Sequence, residues 1–165
     1  MGLTRAAGLL IAAVLALAGP VAGSAHADIQ ALNPFDVTNP AVGNLDPALL
    51  AAVQQAAGAA AADGVTMTIT SGWRSPEFQQ QLLDDAVATY GSFGAARQFV
   101  QTPEHSHHVT GRAVDIGGLA ADHWLIVNGS RFGLCQTYAN ELWHFELATE
   151  PGGVCPPPLP DASWS

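Results

Sequence analysis

Lysine is absent from these 165 residues, and five arginines face fourteen acidic side chains, giving a formal net charge of −9. So few cations cannot neutralise a run of phosphates, which excludes nucleic acid as a partner. The acidity serves solubility and gives no attraction to a polyanionic surface. Internal repeats and coiled-coil heptads are also missing. Cysteine is nearly absent, and what there is forms an even pair, Cys135 and Cys155.

The one long hydrophobic run lies at the start. Met1 to Arg5 carries a single positive charge, Ala6 to Ala22 is almost uninterruptedly apolar, and Ala25-His26-Ala27 is a small-residue cleavage site. This reads as a signal peptide, residues 1–27, cut before Asp28. A retained membrane anchor is the competing reading, because the run approaches the length of a bilayer span. The flanks favour cleavage, and with it a location outside the cell or in its envelope and no stable membrane insertion. Residues 28–165 then make one ordinary domain with a single core, expected as a monomer.

Export makes a disulfide the expected state of Cys135 and Cys155. Such a bridge closes a segment that contains Glu141 and His144, and on the chain-entropy model it contributes roughly 3 kcal/mol.

Residues 28–45 hold prolines, Asn and Asp without a sustained period, and read as an extended surface segment. Asp46-Pro47 starts a helix in which Leu49, Leu50, Val53, Ala57 and Ala60 repeat at helical spacing up to Gly64. Val65 to Thr70 reads as a half-buried strand running into Ser71-Gly72-Trp73-Arg74-Ser75. Ser75-Pro76-Glu77 begins a second helix, with a shorter one over 94–100. Ala113 to Ile116 is a short strand, 119–128 a helix, and Cys135 with Leu142 to Leu147 a hairpin-like end. Pro156 to Pro160 predicts a flexible polyproline-like tail over 156–165. The sum is a small α+β domain with a mainly antiparallel sheet and helices packed on one side.

Histidine is concentrated where metal chemistry needs it. His105, His107 and His108 share one polar loop, and His144 lies in Glu141-Leu142-Trp143-His144-Phe145-Glu146. A catalytic zinc takes three protein ligands and leaves a fourth position to water, and His108, Asp115 and His144 supply that number. Gly111, between the first two, lets the chain turn tightly. Glu141, three residues before His144, stands where a base is needed. Plainer readings go with these: His105 and His107 as solvated loop residues, with His107 able to exchange roles with its neighbour His108; His123 as a surface histidine; Trp73 and Trp143 as core or cleft wall.

Ser106-His107-His108-Val109-Thr110-Gly111-Arg112-Ala113-Val114-Asp115 resembles the Ser-x-His-x-x-Gly-x-Ala-x-Asp signature of the VanY-type D-alanyl-D-alanine carboxypeptidases, with every fixed position in agreement. Ser71-Gly72-Trp73-Arg74-Ser75 is similar to that family's Ser-Gly-Tyr-Arg-Ser element, and Glu141-Leu142-Trp143-His144 to its Glu-x-Trp-His element, in the family's order. The resemblance implies a zinc peptidase domain over 46–155 with the fold shared by hedgehog signalling domains and lysostaphin-like peptidases. It implies Zn2+ on His108, Asp115 and His144, Glu141 as general base, and Arg74 as the cation for a developing oxyanion or the substrate carboxylate. Ser106 and Gln79 become substrate or supporting contacts, and Trp73 a cleft wall. The implied partner is a peptidoglycan stem peptide, cut at its terminal D-alanyl-D-alanine bond. The rivals are an L-alanyl-D-glutamate-type endopeptidase on the same zinc site and a non-catalytic, zinc-stabilised wall-binding module. Trp73 departs from the commoner tyrosine and Leu142 from the commoner proline.

Overall fold

In the computed structural model, which describes residues 31–165, four of the five α-helices begin where a side chain supplies a cap. Asn39 caps α1 (Pro40–Gly43), Asp46 caps α2 (Pro47–Ala62) and Ser75 caps α3 (Pro76–Tyr90), each with proline at the first helical position. Short α4 (Phe93–Ala96) follows Ser92, and α5 (Leu119–Asn128) follows Gly118. The expected signal peptide lies outside the described residues; within them no helix is long and apolar enough to cross a membrane.

Four strands, β1 (Thr68–Ser71), β2 (Ala113–Gly117), β3 (Leu134–Gln136) and β4 (His144–Leu147), form one antiparallel sheet in the order β1-β2-β4-β3. Side chains alternate across a strand, and here the alternation divides core from site. Val114 and Ile116 of β2 and Phe145 of β4 are buried with Ile69, Leu134, the α2 side chains Leu49, Val53 and Ala56, and Leu125 of α5. Asp115, His144 and Glu146 occupy the opposite face. There α3 and α4 make a separate small cluster of Leu83, Ala86 and Ala96. The expected α+β class and antiparallel sheet are found, with α2 and α5 covering one side.

Two segments differ from expectation. Residues 31–45 do not simply wrap the surface: α1 interrupts them, Val42 and Leu45 enter the core, and Leu32 bridges Ile69. Asn39-Pro40 is itself a helix start, and the apolar side chains Val42 and Leu45, three residues apart, anchor the turn into α2. The segment also backs the loops that lead to the site. The Ala41 carbonyl accepts the Trp73 amide at 2.9 Å, and the Gly111 carbonyl accepts the Asp46 amide at 2.8 Å.

The tail from Pro156 is likewise docked rather than flexible. Leu159 pairs in parallel with Tyr138, a 3₁₀ turn spans Ala162–Trp164, and Ala162 is buried. Proline fixes φ, so ordering this segment costs less backbone entropy than ordering an ordinary chain. Its root is fixed by the Cys135–Cys155 disulfide, whose Cα atoms lie 5.6 Å apart.

Candidate metal centre and active-site cleft

Antiparallel register places Asp115 of β2 directly opposite His144 of β4. Cross-strand partners share a face, so the pairing that buries Val114 against Phe145 also brings these two polar groups together. A slip of one residue would send both into the core. His108 arrives from the loop before β2. Gly111 ends that loop with φ +70°, and a Cβ there would meet the Asn44 carbonyl oxygen at 2.5 Å, so only glycine makes the turn without strain.

His108 Nε2 lies 3.3 Å and His144 Nδ1 3.2 Å from Asp115 Oδ1. One ligand atom from each of the three lies within 4.8 Å of the others, and all three residues are buried. The outer nitrogens fix the tautomers. His108 Nδ1 donates to the Gly72 carbonyl at 2.8 Å, and His144 Nε2 donates to Glu146 Oε1 at 2.8 Å. That leaves His108 Nε2 and His144 Nδ1 facing the Asp115 oxygen: protonated, these atoms hydrogen-bond to the carboxylate, and neutral, their lone pairs converge with it on one point. That is a donor set built for a cation, and two imidazoles with one carboxylate suit zinc.

The electrostatics follow from burial and pairing. Burial pushes the His108 imidazole down, toward the neutral form that ligates. Burial alone would raise Asp115, yet the charge and hydrogen bonds of His108 and His144 hold its carboxyl far below the usual carboxylate range. His144 is also disfavoured by burial as a cation, but its hydrogen bonds to Asp115 and Glu146 push it up to about 9.

Glu141 comes from the turn before β4, with Oε2 3.8 Å from His144 Nδ1 and Oε1 buried without a hydrogen-bond partner. Burial pushes its carboxyl up to about 7, which suits a group that takes a proton from water and passes it on near neutral pH. Arg74 stands just past the end of β1. Its Nε donates to Ser71 Oγ at 2.8 Å, Nη1 to Gln79 Oε1 at 3.1 Å and Nη2 to Asp115 Oδ2 at 2.8 Å. A guanidinium has five N–H donors, so two remain for the cleft.

These groups line a cleft of about 220 Å³, below the roughly 300–1,000 Å³ typical of drug-sized ligand sites. Ser106 and Gln79 line it with His108, Asp115, Glu141 and His144, and Phe99, Val100, Tyr138, Trp143 and Ala162 add apolar wall. Trp73 does not line it. Its indole Nε1 donates to the Val109 carbonyl at 3.1 Å, which braces the His108 loop from behind. Trp143, 43 % exposed, is the tryptophan on the cleft wall. His123 is exposed, as expected.

His107 stands outside the cluster of His108, Asp115 and His144, and it is not a free loop residue. Its Nδ1 sits 2.6 Å from Glu146 Oε2, making a chain His107, Glu146, His144. Burial opposes ionisation of Glu146, but hydrogen bonds from the two histidines hold it down at about 2. Glu146 is absent from the residues that sequence reasoning singles out; its position two residues after His144 on a strand, hence on the same face, is the signal that could have found it. Tyr138, whose ring lies 4.8 Å from that of His144, carries no such signal.

The family model described as VanY, D-alanyl-D-alanine carboxypeptidase, matches residues 43–151. A D-alanyl-D-alanine carboxypeptidase of Enterococcus faecalis is 35% identical over 112 residues, 53% of this chain and 42% of that protein, so the chain spans less than half the length of this curated relative. The zinc complex of a vancomycin-resistance D,D-pentapeptidase VanY from a VanB-type cassette superposes with a TM-score of 0.57 at 32% identity, over 62% of this chain and 71% of the other. VanYB in complex with D-alanine-D-alanine gives 0.58 at 30%, over 62% and 70%. With two thirds of its length matched by one family model and the same antiparallel sheet as the solved members, this chain belongs to the VanY D-alanyl-D-alanine carboxypeptidase family.

Proposed function

We propose that the protein is an exported zinc metallopeptidase that removes the terminal D-alanine from peptidoglycan stem peptides. The observation that carries this reading is the convergence of His108 Nε2, Asp115 Oδ1 and His144 Nδ1 beside the unpartnered carboxylate oxygen of Glu141. A hydrolase needs a base at that place; a site serving only to stabilise the fold has no use for one. The zinc-bound and dipeptide-bound relatives support the choice of metal and of substrate class. The apolar run of residues 6–22 and the disulfide support export.

When bound, zinc supplies Lewis acidity that acidifies a water molecule and polarises the scissile carbonyl. Glu141 takes the proton from the attacking water and delivers it to the leaving amine of D-alanine. Arg74 offers its two remaining N–H groups to the negative charge that develops on the carbonyl oxygen or to the substrate carboxylate, and Asp115, Gln79 and Ser71 fix its plane beforehand. His108 and His144 would serve as neutral ligands, His144 giving up its Nδ1 proton, with Gly72 and Glu146 holding their outer nitrogens. Ser106 and Gln79 orient the peptide end, and Trp143 and Phe99 exclude water from one side.

The test is release of D-alanine from a muramyl pentapeptide, with and without zinc. Release that needs zinc supports the reading. Internal cleavage would move the specificity to an endopeptidase, and an intact pentapeptide in the presence of bound zinc would favour a binding module.

A further inference from the structure

The family match ends at residue 151, yet the chain beyond it returns to the cleft. Ala162 lines the cleft beside Tyr138, Trp143, Phe99 and Gln101. We propose that residues 156–165 form a fixed end wall of the active-site cleft, with Ala162 as a specificity-determining residue that limits the substrate to a peptide end carrying a small terminal residue. This deepens the carboxypeptidase reading and rests on it.

The wall is held at both ends and in the middle. Its root is the Cys135–Cys155 disulfide. Leu159 donates to the Thr137 carbonyl at 2.9 Å and accepts from the Ala139 amide at 2.8 Å, extending the turn that carries Glu141. The buried Gln101 side chain donates through Nε2 to the Ala162 carbonyl at 2.7 Å and to the Ser165 carbonyl at 2.9 Å. Tyr138 Oη donates to Ser165 Oγ at 2.9 Å, and the Arg97 guanidinium reaches the Ser163 carbonyl at 3.4 Å. Four prolines at 156, 157, 158 and 160 restrict the backbone between these points.

Such anchoring is more than a surface tail needs, and its consequence is geometric. A wall of this kind in a cleft of about 220 Å³ narrows the room for a chain that continues past the scissile bond. The side chain at 162 is a single methyl group. One extra methylene against an apolar wall changes kcat/KM by roughly 10–200-fold, so the wall discriminates by size.

The experiment compares kcat/KM for two otherwise identical muramyl pentapeptides, one ending in D-alanine and one in D-leucine, using the zinc-loaded protein with its disulfide intact. Ending the chain after Pro160 removes the 3₁₀ turn while keeping both Leu159 hydrogen bonds; the preference for D-alanine should fall tenfold or more, mainly through recovery of the D-leucine substrate. Ala162→Val should act oppositely, raising KM for the D-alanine substrate with kcat little changed, a split that a loss of folded protein would not produce. An unchanged preference in both variants, with D-alanine still released, would overturn the wall while leaving the carboxypeptidase reading intact. Absence of D-alanine release by the wild-type protein would overturn both.

Discussion

Removing the Glu146 side chain should loosen the proposed metal site without touching any of its three proposed ligands. In Glu146→Ala the His144 Nε2–H loses an acceptor at 2.8 Å, and His107 Nδ1 loses its partner at 2.6 Å. Both faces of this carboxylate are nearly closed to water, with Glu146 only 9% exposed. A buried donor left without an acceptor costs about 1–3 kcal/mol. Part of that cost is escaped if the imidazole rotates or changes tautomer, and either escape removes the Nδ1 lone pair from the point it shares with His108 and Asp115. Loss of such outer partners lowers metal affinity roughly 10–100-fold, about 1.4–2.8 kcal/mol at 1.4 kcal/mol per decade. Glu146→Gln keeps an acceptor for His144 but loses the charge and turns an NH2 group toward His107 Nδ1, so it should fall between Ala and wild type. Zinc affinity by competition with a chromophoric chelator at constant pH reads the series directly. Affinities of Glu146→Ala within twofold of wild type would refute the idea that this carboxylate sets the His144 tautomer.

The geometry sets three further outcomes. His107→Ala should weaken zinc binding less than Glu146→Ala, by about 2–5-fold, because Glu146 retains its bond to His144; equal losses would make His107 the main support. Gly111→Ala forces a side chain into a φ +70° turn against the Asn44 carbonyl and should cost about 1–3 kcal/mol in urea unfolding, with zinc affinity falling alongside; a neutral result would mean that the turn relaxes freely. Burial pushes Asp122, whose Oδ1 has no partner, up to about 6. A folded carboxyl that binds its proton more tightly than the unfolded one is most favourable below pH about 4, and the chain loses stability as pH rises through about 6. Asp122→Asn should therefore remove that slope and stabilise the protein at pH 7 by about 1 kcal/mol after allowance for solvent screening; an unchanged slope would assign it elsewhere.

Local signals are legible in the sequence because local physics makes them. Asp46-Pro47 and Ser75-Pro76 cap α2 and α3 where expected, and the alternation Val114, Asp115, Ile116 already separates core from site. The triad is legible because metal chemistry restricts residue type and Gly111 marks the turn between its first two members. Long-range register is less visible. Nothing local announces that Ala41 seats behind Gly72, or that a proline-rich segment turns back to pair with Tyr138. Trp73 shows the same limit. Its motif neighbour Arg74 lines the cleft, but the Trp73 indole finds its acceptor outside the cleft lining, at Val109. Burial finally separates His107 from His108, adjacent residues of one type, by pairing the first with Glu146 and aiming the second at Asp115.

The central claim, a zinc peptidase whose base is Glu141, is tested most directly by D-alanine release from a muramyl pentapeptide by the zinc-loaded wild type and Glu141→Gln proteins. The substitution leaves His108, Asp115 and His144 in place, so zinc should bind within a few-fold of wild type while turnover falls by about 10²–10⁴, the range for loss of a general base. D-alanine release at the wild-type rate by Glu141→Gln, with zinc bound, would contradict the account.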